Sequence, residues 1–131
     1  MITVLFACVH NAGRSQMAAA LFNALAPASL KAVSAGTEPA DRVQSEVVAA
    51  MDEVGIDLRS AVPRKLDAEL SRQAQVLVTM GCGEACPYLP GIRRLDWPLP
   101  DPKSAPPKQV REIRDDIRRR VVALIQELQD V

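Results

Sequence analysis

The strongest chemical signal in this 131-residue sequence is the segment from Cys8 to Ser15, which reads Cys-Val-His-Asn-Ala-Gly-Arg-Ser. Five residues separate Cys8 from Arg14, and the two lie between an apolar run and a segment whose apolar residues repeat at helical spacing. A loop that leaves a strand and enters a helix can direct its backbone N–H groups and the helix dipole at one point. The segment therefore predicts an oxyanion site, where Arg14 adds a planar set of donors suited to a tetrahedral anion.

Cys8 is predicted to be the nucleophile, because positive surroundings favour the reactive thiolate form. Asn11 and Gly13 suit a tight loop, since both residue types adopt left-handed backbone conformations readily. Ser15 is placed either to cap the helix or to donate to the thiolate. The alternative is a buried cysteine and a surface arginine that never meet. The predicted oxyanion-binding residues are Val9, His10, Asn11, Ala12, Gly13, Arg14 and Ser15, with His10 contributing its backbone rather than its ring.

Composition narrows the possible partners. The chain has 16 basic and 16 acidic residues, so no net charge attracts a nucleic acid or an anionic membrane surface. The arginines near the C-terminus alternate with acidic residues, which is typical of the solvated face of a helix; they are Arg111, Arg114, Arg118, Arg119 and Arg120. Apolar runs are too short to span a bilayer, and the N-terminus enters a strand at once. We therefore expect a cytoplasmic protein that binds neither nucleic acid nor membrane.

Strand and helix patterns alternate along the chain. Strands are predicted over 2–6, 30–35, 76–80 and 92–95, and helices over 17–25, 43–54, 66–72 and 110–128. Residues 98–107 contain five prolines and are predicted to be irregular. This order implies a three-layer α/β fold in one domain over residues 1–131, with a four-stranded parallel sheet and helices on both faces.

The loops after the first, third and fourth strands carry the residues with chemistry to offer. Ligands of parallel sheets bind beyond the carboxyl ends of the strands, so we expect Cys8, Cys82, Cys86 and Asp101 to converge there. Asp101 precedes Pro102, whose ring restricts the backbone, and a carboxyl in a water-poor cleft can give a proton to a leaving oxygen. Asp96 is the competing general acid, and an acidic loop residue can also be a solvated charge.

Cys82 and Cys86 lie in the segment Gly-Cys-Gly-Glu-Ala-Cys. A disulfide needs Cα atoms roughly 4.4 to 6.8 Å apart, and glycines on both sides of Cys82 let the loop rearrange to reach more than one partner. Three thiols in one cleft can then exchange disulfides in sequence. Two alternatives remain open. The cysteines are inert, or zinc is held with Cys8 and His10, although the spacing lacks the usual Cys-x-x-Cys pair and we predict no metal site.

On these residues the chain resembles the thioredoxin-coupled arsenate reductases, which share the low-molecular-weight protein tyrosine phosphatase fold. The resemblance covers nearly the whole length. It rests on five segments: Cys8-x5-Arg14-Ser15 with Gln16-Met17-Ala18, Ser34-Ala35-Gly36-Thr37, Val54-Gly55-Ile56-Asp57, the loop of Cys82 and Cys86, and Asp96-Trp97 followed by Asp101-Pro102. It implies an oxidoreductase that confers arsenic resistance by detoxification.

The resemblance also implies a mechanism. Cys8 attacks arsenate held by the loop and Arg14, and Asp101 protonates the departing oxygen. Cys82 then attacks Cys8 and releases arsenite, and Cys86 attacks Cys82 to leave a redox-active disulfide for thioredoxin. The expected protein is a monomer without a bound cofactor, and phosphate or sulfate would occupy its site as arsenate analogues.

The sequence departs from some of these relatives at two places. Ala19 and Arg64 stand where some relatives carry the carboxylates of a potassium site, so we predict no potassium site here. The gap between Cys82 and Cys86 is short, and similar loops occur in relatives that use mycothiol and mycoredoxin.

Cys8, Arg14 and Asp101 alone also suffice for a low-molecular-weight phosphatase. Lys103, however, stands where phosphatases of that family carry an aromatic residue. A non-catalytic arsenic or zinc binder is the remaining possibility.

Overall fold

Four parallel strands form the central sheet of the computed structural model, which describes residues 1–81 and 91–129. The strands are β1 (Ile2–Cys8), β2 (Leu30–Gly36), β3 (Val76–Thr79) and β4 (Arg93–Asp96), in the spatial order β2-β1-β3-β4. The helices are α1 (Arg14–Leu25), α2 (Ser45–Asp52), α3 (Ala68–Gln73) and α4 (Pro107–Gln129). The register pairs Cys8 with Gly36 and Ala7 with Thr79, so these strands end together at one edge.

The two faces of β1 belong to different apolar cores. Phe6 and Cys8 face a large core shared with α1, α2 and α4, whereas Leu5 and Ala7 face a smaller core with Leu70 of α3. Side chains alternate between the faces of a strand, so a strand covered by helices on both sides is apolar throughout. The predicted three-layer arrangement is confirmed. No helix in the described part of the chain is long and apolar enough to cross a membrane.

Helix α4 has the apolar face that its sequence predicts. Its buried apolar residues are Val110, Ile113, Ile117, Val121, Leu124, Ile125 and Leu128. The prediction of a fully solvated arginine face is wrong for Arg114, which is only 8% exposed. Its guanidinium donates to the carbonyl oxygen of Ala50 and to Glu53 Oε1, both at 2.8 Å. Burial is tolerated because these acceptors at the end of α2 satisfy the charge.

Other predictions need small corrections. Helix α2 begins at Ser45 rather than at residue 43, and α3 begins at Ala68 because the Asp67 side chain accepts a hydrogen bond from Leu70 N at 2.8 Å. Leu25 follows the apolar period of α1 but is 42% exposed, since the helix ends there. The fourth predicted strand exists, shifted by one residue to Arg93–Asp96.

Candidate active site

Cys8 occupies the carboxyl end of β1 and is 3% exposed. Its Sγ lies 2.8 Å from Ser15 Oγ, and that oxygen accepts a hydrogen bond from Asn11 Nδ2, also at 2.8 Å. One lone pair of Ser15 Oγ already accepts an N–H of the Asn11 amide. The hydroxyl proton of Ser15 is therefore available to the sulfur of Cys8. Ser15 lies inside α1, and no side chain caps that helix. Of the two roles predicted for Ser15, the structure therefore supports donation to the thiolate.

Asn11 organises the loop of residues 9–13. It is fully buried and has a φ of 49°, the left-handed conformation that was predicted. Its Oδ1 accepts hydrogen bonds from Gln16 Nε2 at 3.1 Å and from Arg64 N at 3.0 Å. These contacts hold a backbone conformation that is unfavourable for a residue with a side chain. The segment of residues 8–15 is called the anion loop below.

The carbonyl groups of the anion loop point away from its centre. Val9 O accepts from Glu38 N at 2.8 Å, and Ala12 O accepts from Gln44 N at 2.9 Å. His10 O likewise accepts a backbone hydrogen bond, and the exposed His10 ring lies against Glu38 O at 3.0 Å. The N–H groups of residues 9–13 donate to no acceptor in the described part of the chain. The loop thus offers donors without acceptors, as an oxyanion cradle requires.

Two glycines allow neighbouring segments to approach the anion loop closely. The predicted left-handed conformation is wrong for Gly13, whose φ is −140°. A Cβ on Gly13 would lie 2.9 Å from Pro102 Cγ, so the absence of a side chain lets the two loops touch. A Cβ on Gly36 would lie 2.6 Å from Val9 O. Sequence alone could not assign these roles, because the close neighbours come from distant parts of the chain.

Arg14 and Asp101 face each other across the site. The Arg14 side chain is 11% exposed, and its Nη1 donates to Leu99 O at 2.9 Å. Its Nη2 lies 3.9 Å from Asp101 Oδ2, and the Asp101 side chain is 42% exposed. The other carboxylate oxygen, Oδ1, accepts hydrogen bonds from Lys103 N at 3.0 Å and from Gln44 Nε2 at 3.4 Å. A guanidinium and a carboxyl group therefore lie together at the anion loop.

The segment of residues 97–103, called the acid loop below, is anchored by buried apolar side chains. The Trp97 ring packs against Phe6 with a centroid distance of 5.6 Å, and Leu99 is also buried. Pro102 is buried where it meets Gly13. These contacts hold Asp101 beside the anion loop although the segment has no regular structure.

Comparison with known proteins agrees with this arrangement. The profile described as Low molecular weight phosphotyrosine protein phosphatase matches residues 3–131. The chain belongs to this family. It is 40% identical over 93% of its length to a Halobacterium salinarum protein provisionally named an arsenate reductase, and covers 89% of that protein.

Solved structures of arsenate reductases have the same fold as this family member. The thioredoxin-dependent arsenate reductase of Corynebacterium glutamicum has a TM-score of 0.86 and 37% identity, covering 98% of this chain; the match spans 62% of the Corynebacterium chain. An arsenate reductase in its phosphate binding state has a TM-score of 0.86 and 29% identity, with 97% and 98% of the two chains covered. The resemblance recognised in the sequence is thus confirmed.

Asp96, the competing candidate for the general acid of this family member, is held as a carboxylate. The Thr79 hydroxyl donates to it, and Arg94 Nε lies 3.3 Å from its Oδ1. These hydrogen bonds, that of Thr79 above all, lower the pKa of Asp96 below its ordinary value. A carboxyl group that ionises more readily retains its proton less well. Asp101 is therefore the better candidate.

Gly81 connects β3 to the predicted cysteine loop. Its φ is +94°, and a Cβ there would lie 2.3 Å from Arg14 Nη1. The glycine thus allows the backbone to pass directly against the guanidinium, a role beyond the loop freedom predicted from sequence. Cys82 and Cys86 lie outside the described residues.

Ala19 and Arg64, the two positions aligned with potassium-binding carboxylates of some relatives, line one cavity of about 310 Å³ together with Gln16 and Ser34. Ala19 is buried, and the exposed Arg64 is fixed through its backbone to Asn11. Within the described ranges, no three histidine, cysteine or carboxylate side chains form a group able to hold a metal. The absence of a potassium site stays a prediction.

Proposed function

We propose that this chain is an arsenate reductase that uses Cys8 as its nucleophile and thioredoxin as its reductant. The supporting observation is the agreement of two facts. Cys8 Sγ lies within 2.8 Å of the Ser15 hydroxyl beside a donor-only loop, and the matched relatives that cover nearly the whole chain bear arsenate reductase names. A thiol nucleophile at an oxyanion cradle is the group that arsenate reduction requires first.

The first step joins Cys8 to arsenic. The thiolate attacks the arsenic atom of arsenate, whose oxygens accept hydrogen bonds from the anion loop and the Arg14 guanidinium. The hydroxyl group of hydrogen arsenate that lies opposite the sulfur departs as water after receiving one proton from Asp101, the carboxyl next to Arg14. The product is a covalent Cys8 adduct of arsenic(V).

The second stage reduces arsenic with thiol electrons. The Cys82 thiolate attacks Cys8 Sγ, the sulfur–arsenic bond breaks, and its electron pair leaves with arsenic as arsenite. Cys86 then attacks Cys82 and frees Cys8, and thioredoxin supplies two electrons to the Cys82–Cys86 disulfide. Gly81 directly precedes Cys82 in the sequence and packs against Arg14, the residue proposed to bind arsenate, and this contact supports a role for Cys82 in the reaction.

The setting of the reaction follows from the same chemistry. Free thiols persist in a reducing compartment, so we place the protein in the cytoplasm as one monomeric domain over residues 1–131. Electrons come from an external protein or thiol, and the chain needs no bound cofactor. Mycothiol with mycoredoxin is the alternative donor, in which case the adduct on Cys8 is transferred to the small thiol.

The decisive experiment is arsenate-dependent NADPH oxidation with thioredoxin and thioredoxin reductase, run beside an assay with mycothiol, mycoredoxin and mycothiol reductase. We expect turnover with thioredoxin alone, which Cys86→Ser abolishes. Full activity of Cys86→Ser with thioredoxin would contradict the relay. Turnover only with mycothiol would keep Cys8 as the nucleophile and replace thioredoxin as the electron donor. Absence of turnover in both assays would refute arsenate reduction.

A phosphatase is the second candidate, favoured by the description of the family to which the chain belongs. Cys8, Arg14 and Asp101 suffice to form and hydrolyse a phosphocysteine. Lys103, exposed after Pro102, offers no aromatic ring to stack on a phosphotyrosine. The two functions separate at Cys82, because Cys82→Ser removes arsenate reduction but leaves phosphate ester hydrolysis unchanged.

A further inference from the structure

Gln44 is the polar residue at the site to which the mechanism above gives no role. It directly precedes α2, a position where side chains commonly cap the helix, yet its side chain makes no capping hydrogen bond. Its Oε1 is buried without a hydrogen-bond partner in the described part of the chain. An uncapped helix and a buried unpaired acceptor both cost stability. The amide is therefore placed for a purpose other than holding α2.

The contacts of Gln44 lead to both loops of the site. Its backbone N donates to Ala12 O at 2.9 Å, and its Nε2 donates to Asp101 Oδ1 at 3.4 Å. A Cβ on Gly13 would lie 3.2 Å from Gln44 Oε1 and 2.9 Å from Pro102 Cγ. The amide is thus packed where the anion loop and the acid loop meet. It ties the position of Asp101 to the loop that holds the oxyanion.

The two oxygens of Asp101 have different surroundings. Oδ1 accepts from Gln44 Nε2 and from Lys103 N, whereas Oδ2 lies 3.9 Å from Arg14 Nη2. Because two N–H donors occupy Oδ1, a proton on this carboxyl is carried by Oδ2. That oxygen is the one next to the guanidinium that binds the substrate. The arrangement selects the oxygen able to reach a leaving group.

We propose that Gln44 is a positioning residue that directs the Oδ2 proton of Asp101 at the departing oxygen of the substrate. The inference rests on the proposed role of Asp101 as the general acid. Gln44 acts through Asp101 and does not itself take part in the bond changes. Its loss should therefore slow the chemical step while anion binding stays intact.

The test begins with Gln44→Met, which keeps the length of the side chain and removes its donor. General acids contribute about 10² to 10⁴ in rate, and Lys103 N still holds Asp101, so we expect kcat to fall roughly tenfold. The KM for arsenate and the Kd for inorganic phosphate should stay unchanged, and the melting temperature should not fall, because the substitution also removes the buried unpaired acceptor. Gln109→Met, the same change at an exposed position of α4, is the control and should behave as the unmodified chain. A lower melting temperature with an unchanged kcat would overturn the proposal.

A double-mutant cycle shows whether Gln44 acts through Asp101. In an Asp101→Asn background, Gln44→Met should have no further effect on kcat, since the proton donor is already absent. Independent, multiplying effects of the two substitutions would contradict the proposal.

A separate measurement tests the role of Gln44 if the chain turns out not to reduce arsenate. If the unmodified chain does not reduce arsenate but hydrolyses aryl phosphates, Gln44→Met should slow phenyl phosphate and spare p-nitrophenyl phosphate, whose leaving group needs no proton. Equal slowing of both would overturn the inference. If both activities are absent, the crystal structure of Gln44→Met decides: a rotated Asp101 carboxyl supports the proposal, and an unmoved one refutes it.

Discussion

The anion loop and the acid loop face the same site but are built in opposite ways. The anion loop is held by buried hydrogen bonds centred on Asn11, and Cys8 and Ser15 at its ends are almost fully buried. The acid loop is anchored by the apolar side chains of Trp97 and Leu99, and Asp101 itself is 42% exposed. The proposed nucleophile and oxyanion cradle need fixed geometry, whereas the proposed proton donor, Asp101, must also let the substrate enter.

The first prediction tests the anion loop at its reactive atom. Cys8→Ser should abolish arsenate turnover, because a hydroxyl is a far weaker nucleophile than a thiolate and cannot form a disulfide. Phosphate should still bind, since the backbone donors and Arg14 remain, and calorimetry measures that binding. Residual turnover above the rate without enzyme would show that another thiol attacks arsenate.

The second prediction tests the acid loop. Asp101→Asn should lower kcat about 100-fold, the range expected for loss of a general acid. Stability should hardly change, because a partly exposed ion pair 3.9 Å long contributes about 0 to 1 kcal/mol. Steady-state kinetics and thermal melting check both parts. A large fall in melting temperature would mean that Asp101 stabilises the fold. The acid loop would then be held by its polar contacts, as the anion loop is.

The third prediction measures how strongly the anion loop is held. Asn11→Ala removes three side-chain hydrogen bonds, two of them buried and one partly buried, and places alanine at a φ of 49°. We expect a loss of about 3 kcal/mol in the free energy of unfolding, with weaker phosphate binding. Chemical denaturation measures the first quantity. Asn23→Ala is the control: it removes two hydrogen bonds to the backbone of Ala32 and none to the anion loop, and it should leave phosphate binding unchanged.

The fourth and smallest effect lies outside both loops. Arg111 and Arg114 donate to Glu53 and lower its pKa from 4.5 to about 2. A carboxylate with a depressed pKa stabilises the fold above its unfolded pKa, and this contribution is lost as the pH falls toward 2. Glu53→Gln should therefore reduce stability at neutral pH, and the difference from the unmodified chain should vanish between about pH 4.5 and pH 2.

Acid-induced unfolding followed by circular dichroism measures this difference. Glu112→Gln, a change of the same type at an exposed position of α4, is the control. A difference that persists at pH 2 would show that the effect of Glu53 comes from packing. Neither variant should alter arsenate kinetics, which separates this ion pair from the two loops.

The fold was predictable where local sequence and packing agree. The apolar face of α4, the buried strand β1 and the parallel three-layer order were predicted and are confirmed. The start of α3 was misplaced because it depends on the Asp67 cap, a local contact that periodicity does not report. The start of α2 was misplaced by two residues, and no side-chain cap marks it. Arg114 was assigned to solvent because charge patterns do not show that a distant helix end offers acceptors.

The sequence by itself determined the family, the order of strands and helices, and the residue types of the site, because Cys8, Arg14 and Ser15 lie within one short segment whose spacing carries the signal. Only the tertiary structure decided that the Ser15 hydroxyl lies against Cys8 Sγ, that Asp101 rather than Asp96 lies beside Arg14, and that Gln44 joins the two loops. Those contacts link residues up to 87 positions apart, 14 to 101, and depend on distances and hydrogen-bond directions that form only when the sheet brings its strand ends together.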